Sequence, residues 1–142
     1  MKKLILISAL IAATGFSGSA QKTDASRVPA AVKTAFTKQY PGVTVKWIKE
    51  DGKYEAEFKQ KGNAMSALFE ASGTMEESEM DIKVSDLPAT VLAYVKEHYA
   101  GKKIKEGAKI TKADGSVIYE AEVDGKDVLF DASGKFLKEV KG

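Results

Sequence analysis

Tyr54-Glu55-Ala56-Glu57-Phe58 returns almost unchanged as Tyr119-Glu120-Ala121-Glu122-Val123, so the chain contains a duplicated element. Apolar and charged residues alternate in both copies, the period of a strand with one buried face. Leu68-Phe69-Glu70-Ala71-Ser72-Gly73 follows the first copy and Leu129-Phe130-Asp131-Ala132-Ser133-Gly134 the second.

Upstream of each copy lies a hairpin signal. Asp51-Gly52 suits a two-residue turn, which sets Trp47 against Ala56, Val45 against Phe58 and Lys46 against Glu57. One face is then apolar and the other charge-paired. Asp114-Gly115, read the same way, sets Ile110 against Tyr119, Ala108 against Ala121 and Lys109 against Glu120. A third strand runs from Met65 to Glu70, matched by one carrying Val128 and Phe130 after Asp124-Gly125. Fourth strands cover Thr74 to Ser78 and Lys135 to Val140; a bulge near Gly134 would decide whether Phe136 or Leu137 points inward.

Helical patterns precede the strands. Val28-Pro29 opens the first, with Val32, Phe36 and Tyr40 on one stripe and Pro41-Gly42 closing it; Leu87-Pro88, Val91, Val95, Tyr99 and Gly101 repeat the scheme. The expected fold class is α+β: two tandem repeats, each one helix packed on a four-stranded antiparallel meander. Trp47, Tyr54, Phe58, Phe69, Tyr119 and Phe130 all fall on the helix-covered face, as core.

Residues 1–20 read as a secretory signal peptide, with Lys2 and Lys3, an apolar run from Leu4 to Ala13, and Gly18-Ser19-Ala20 as the cleavage site. That run is shorter than the roughly 20 residues a spanning helix needs, and no Cys follows it to accept a lipid. The expected organisation is a disordered leader at 21–27, a first repeat at 28–80, a linker at 81–86 and a second repeat at 87–142. The expected location is the periplasm or the extracellular space. Removing Lys2 and Lys3 leaves 20 of the 22 basic residues against 20 acidic ones, which argues against a nucleic-acid or anionic-membrane partner. The chain has no Cys, so the halves must hold by burial.

Catalytic signals are sparse. His98 is the single histidine, one step off the stripe of its helix and without a second positioned group. Thiol catalysis is excluded, and no GxxxxGK[ST] phosphate cradle occurs. Glu55/Glu57 and Glu120/Glu122 each share a strand face, but beside lysines on an open sheet they read as solvated carboxylates with ordinary pKa values. The acidic Gly-bearing loops lack the ligand alternation of a calcium loop. No enzymatic activity, cofactor or metal is expected. The remaining surface is the open sheet face: Lys46, Ile48, Glu55, Glu57 and Leu68 in one copy, with Lys109, Thr111, Ile118, Glu120, Glu122 and Leu129 in the other. Aliphatic residues among alternating charges suit a protein or peptide partner.

The recurring block of Pro-opened helix, "YEAEF" or "YEAEV", and "LFEASG" or "LFDASG" resembles the β-lactamase-inhibitor-like, PepSY-like family of small exported bacterial proteins, over residues 28–140. The resemblance implies that the two sheets join into a curved platform and that the protein is an inhibitor-like binding module. The β-lactamase inhibitor proteins themselves carry disulfides and an inserting loop, whereas this chain has no Cys and no long unpaired loop. The alternative expectation is a small-ligand carrier or sensor binding in a groove between the repeats. The sequence leaves the oligomeric state open.

Overall fold

A computed structural model describes residues 20–141. The signal peptide expected at 1–20 therefore lies outside the described residues, except for Ala20. The fold is α+β. The first unit ends at Ser78 and the second begins at Glu79. In chain order the elements are β1 (Gln21–Thr23), α1 (Ala30–Gln39), β2 (Val45–Glu50), β3 (Lys53–Gln60), β4 (Asn63–Phe69), β5 (Met75–Ile82), α2 (Ala89–His98), β6 (Ile104–Lys112), β7 (Val117–Val123), β8 (Lys126–Asp131) and β9 (Phe136–Lys141). Strand order follows chain order, and every described pairing is antiparallel. The division falls inside β5.

Both helices start as the sequence predicts. Pro29 and Pro88 stand at the N-caps with φ near −54° and −53°, pre-set for the entry and lacking the N–H that a first turn would leave unpaired. Each ends where the N–H of Tyr40 or Tyr99 is donated to the carbonyl of Phe36 or Val95. In the first unit, Val28, Val32, Phe36 and Tyr40 pack on Trp47, Tyr54, Ala56, Phe58, Ala67 and Phe69. Ring contacts dominate: Phe36 lies 5.4 Å from Trp47 and 5.1 Å from Phe58, both edge-on. The second core is mainly aliphatic, with Leu87, Val91, Val95, Ala121, Val123, Val128 and Phe130.

The two hairpins that looked alike differ. Asp51 and Gly52 both take positive φ, 48° and 78°, and Glu50 faces Lys53 across a two-residue turn, so Trp47–Ala56, Val45–Phe58 and Lys46–Glu57 pair as expected. At Asp114-Gly115 only the glycine has positive φ, 83°; the Lys112 N–H is donated to the Ser116 carbonyl and the Gly115 N–H to the Lys112 carbonyl. The loop thus has three residues, 113–115, and the register moves by one: Lys109 faces Tyr119, Ala108 faces Glu120 and Ile110 faces Ile118. Asp114 Oδ1 accepts the Ser116 N–H at 2.8 Å, which holds the aspartate in the ordinary turn conformation and leaves the left-handed residue to Gly115. A slip of one reverses every side chain.

Two further expectations are corrected, and the facing of the last strand, left open by the sequence, is decided. Residues 21–27 take regular structure instead of an unpaired leader: Gln21–Thr23 pairs with β2, Thr23 opposite Trp47, and Asp24 caps a short 3-10 turn at Ala25–Arg27 by accepting the Ser26 N–H. Residues 81–86 are not a free linker, because β5 runs to Ile82 and Val84–Asp86 forms another 3-10 turn. In β9 the irregularity lies at Leu137, since Phe130 faces Phe136 while Leu129 faces Lys138. Phe136 packs on the second core and Leu137 stays 47% exposed.

Candidate functional site

The face of β2–β4 turned away from α1 is set by register. Ile48, Glu55 and Leu68 stand side by side across three strands, and Lys46, Glu57 and Ser66 form the next row. Lys22 of β1 lies opposite Ile48. This face is not open. Glu55 is 6% exposed, Leu68 is buried and Ser66 is fully enclosed; Ile48 and Glu57 are half-buried, and Lys46 alone of the expected residues here is exposed. The expected partner of Glu57, Lys46, is directly opposite it, but Glu55 is flanked by two aliphatic side chains instead.

That flanking changes the chemistry. Burial pushes the Glu55 carboxyl up to about 7, helped by the negative charges of Glu57, Glu50 and Glu77; the Ser66 side chain acts in the opposite direction without cancelling them. Its Oε1 meets no hydrogen-bond partner, nor does the Ser66 hydroxyl oxygen. The expectation of ordinary carboxylates on this face is thus corrected at Glu55. An acid of this kind can change charge near neutral pH, and it favours a neighbour that brings a proton or a positive charge.

In the second unit the corrected register redistributes the expected residues. Ile118, Glu120 and Glu122 do lie on the face away from α2, beside Leu129 and Asp127. Lys109 and Thr111 do not: they stand opposite Tyr119 and Val117, and Tyr119 packs on the helix-side core. Ala108 and Ile110 take their places on the outer face and are buried there, as are Leu129 and Asp127. Glu122 is half-buried and Lys105 Nζ lies 3.6 Å from its Oε1. The fragments that the repeat placed together therefore come together as two sets, one in each unit. Sequence reasoning missed Ser66, Glu77, Ala108, Ile110 and Asp127; alternation signalled the faces of Ser66 and Asp127, while nothing local signalled their burial.

His98 is exposed on α2, where Nδ1 lies 3.0 Å from the Tyr94 carbonyl and the ring stacks on Tyr94 at 3.9 Å. Among the described residues no group of three or more His, Cys, Asp or Glu is arranged to hold a metal ion. A polar cleft of about 360 Å³ is lined by Gln21, Lys22, Thr23, Asp24, Arg27 and Lys49.

Comparison with known proteins yields one family and several structures. The family model described as "Putative beta-lactamase-inhibitor-like, PepSY-like" matches residues 17–66 and 51–138. A DUF2874 family protein from Bacteroides ovatus is similar at 25% identity and TM-score 0.71, over 79% of this chain and 86% of that one. A BLIP-like protein from Bacteroides fragilis is similar at 24% identity and TM-score 0.64, over 80% and 88%. A protein from Bacteroides eggerthii described as a "putative periplasmic" protein reaches TM-score 0.73 at 18% identity, over 80% and 88%. No curated protein matches the chain.

Proposed function

Because the chain belongs to the β-lactamase-inhibitor-like, PepSY-like family, we propose that it is an exported, non-enzymatic binding module that engages a protein or peptide through the sheet faces opposite its helices. The observation that carries this reading is the part of these faces that stays accessible: half-buried Ile48 and Glu57 beside exposed Lys46 in the first unit, and half-buried Ile118, Glu120 and Glu122 in the second, carboxylates set among aliphatic side chains. Such a surface complements a partner segment that offers a basic side chain among apolar ones. The BLIP-like relative supports the module type and the description of the Bacteroides eggerthii relative supports a periplasmic location. Among the described residues no helix is long and apolar enough to cross a membrane.

The test is affinity capture from the envelope fraction of the source organism with residues 21–142 as bait and a Glu57→Lys, Glu122→Lys double variant as control. A protein retained by the parent and lost with the folded variant supports the reading and its placement. Equal capture by both removes these faces from consideration.

A further inference from the structure

We propose that the second unit carries a small-molecule site at the C-terminal end of α2, and that it takes a single-chain anionic amphiphile, a hydrocarbon tail ending in a carboxylate. A cleft of about 400 Å³ opens there, with Val84, Leu92, Val95, Tyr99 and Ile104 as apolar lining. That volume falls within the roughly 300–1,000 Å³ of small-ligand clefts.

The repeat explains why a cleft exists at this place. Counting along the two helices, Val28, Val32, Phe36 and Tyr40 correspond to Leu87, Val91, Val95 and Tyr99. Across the sheets, Val45 pairs with Phe58 as Ile104 pairs with Val123, and Trp47 pairs with Ala56 as Gly107 pairs with Ala121. In the first unit the space between helix and sheet is filled by Phe36 against Tyr40, Trp47, Phe58 and Phe69, and by Tyr40 against Phe58 at 4.5 Å. The second unit has Val95, Gly107 and Val123 where the first has Phe36, Trp47 and Phe58. Leu87 reclaims the space beside Gly107, where its carbons would lie 3.2 Å from an added Cβ. Tyr94, one position earlier on the helix, covers Phe130 and Phe136 but does not line the cleft, where the smaller Val95 forms part of the wall.

The changes around the opening point to the ligand. Leu92 stands where the first helix has Lys33, which extends the apolar lining outward. Lys96 stands where it has Thr37, and Lys102-Lys103 where it has Val43-Thr44, so three lysines border the same cleft. None of its lining residues is acidic. Lys102 is paired with Asp124 at 3.0 Å. Lys96 and Lys103 are exposed and make no ion pair among the described residues, which leaves two cations for a headgroup. The carbonyl end of α2 opposes an anion with about half a charge, less than the lysines supply. Apolar wall, cationic rim and an open mouth together match a fatty-acid-like molecule better than a sugar, a nucleotide or a cation.

The probe is dodecanoate below its micellar concentration, titrated into the purified protein by calorimetry, beside dodecyltrimethylammonium, which keeps the tail and reverses the head, and butyrate, which keeps the head and shortens the tail. Saturable binding of dodecanoate is expected, at least tenfold tighter than either control. Lys96→Glu with Lys103→Glu, both on the surface, should weaken it at least tenfold with the melting temperature of the free protein little changed. Val95→Phe, which restores the first unit's residue, should abolish it; Leu92→Lys serves the same end if that variant misfolds. Equal binding of the cationic amphiphile, no saturable binding of dodecanoate, or unchanged affinity in the folded lysine variant would each overturn the proposal.

Discussion

Replacing Glu55 by Gln should make the protein more stable at pH 8, and the gain should vanish at pH 4. Glu55 titrates near 7 in the fold against an ordinary value of 4.5. Between those values the folded chain holds a proton that the unfolded chain has lost, so stability falls as pH rises through this window and flattens above about 7. At ~1.4 kcal/mol per pH unit, the displacement from 4.5 to about 7 corresponds to about 3 kcal/mol at most. Water reaching the half-buried Glu57 beside it screens part of this, which leaves about 2 kcal/mol for the folded parent to lose on ionisation. Gln keeps the shape and cannot ionise. Urea unfolding of parent and variant at pH 4, 6 and 8 measures the difference directly. The expected pattern is near equality at pH 4, relative to which the variant gains about 2 kcal/mol by pH 8. A difference that does not change with pH, or a variant that loses ground at pH 8, would refute the burial of an acid flanked by Ile48 and Leu68.

Gly73→Ala should cost roughly 2–4 kcal/mol, because φ is 92° and the new Cβ would stand 2.8 Å from the Ala31 carbonyl oxygen; Gly42→Ala, with φ 75° and open space, should cost only about 1–2 kcal/mol, and equal urea midpoints would contradict the close approach of α1. Because the chain has no Cys, the second hairpin can be tested by cross-linking: Thr111→Cys with Val117→Cys should oxidise readily and Thr111→Cys with Ile118→Cys should not, with the reverse result restoring the two-residue turn. Tyr99 donates its hydroxyl to Glu139 Oε2 at 2.6 Å, and this bond, with burial and the Glu139 charge, pushes the phenol up to about 12. Ultraviolet titration should therefore show one late tyrosine that Glu139→Gln returns toward 10; an unchanged curve would mean the bond does not form in solution.

The amino-acid sequence by itself determined the repeat, the α+β class, both helices with their Pro starts and Gly ends, the first hairpin's register and the aromatic core residues. Each of these depends on neighbours a few positions away, through the periods of helix and strand or the backbone limits of Pro and Gly. Phe36 and Trp47 could be placed in the core before any contact was known, because their strand and helix periods agreed. Tertiary structure decided the rest. Gln21–Thr23 is a strand because β2 offers it a partner, which three residues of sequence do not announce. The slip at Asp114 depends on one side-chain hydrogen bond to Ser116, so two Asp-Gly pairs of the same composition turn differently and Lys109 and Thr111 change faces. Glu55 and Glu120 occupy the same place in nearly the same five residues, yet Glu55 is buried and Glu120 only half-buried, and burial pushes the Glu55 carboxyl up to about 7. Alternation tells which way a side chain points; how much water remains around it depends on chain far away in sequence, and that burial sets the charge of Glu55.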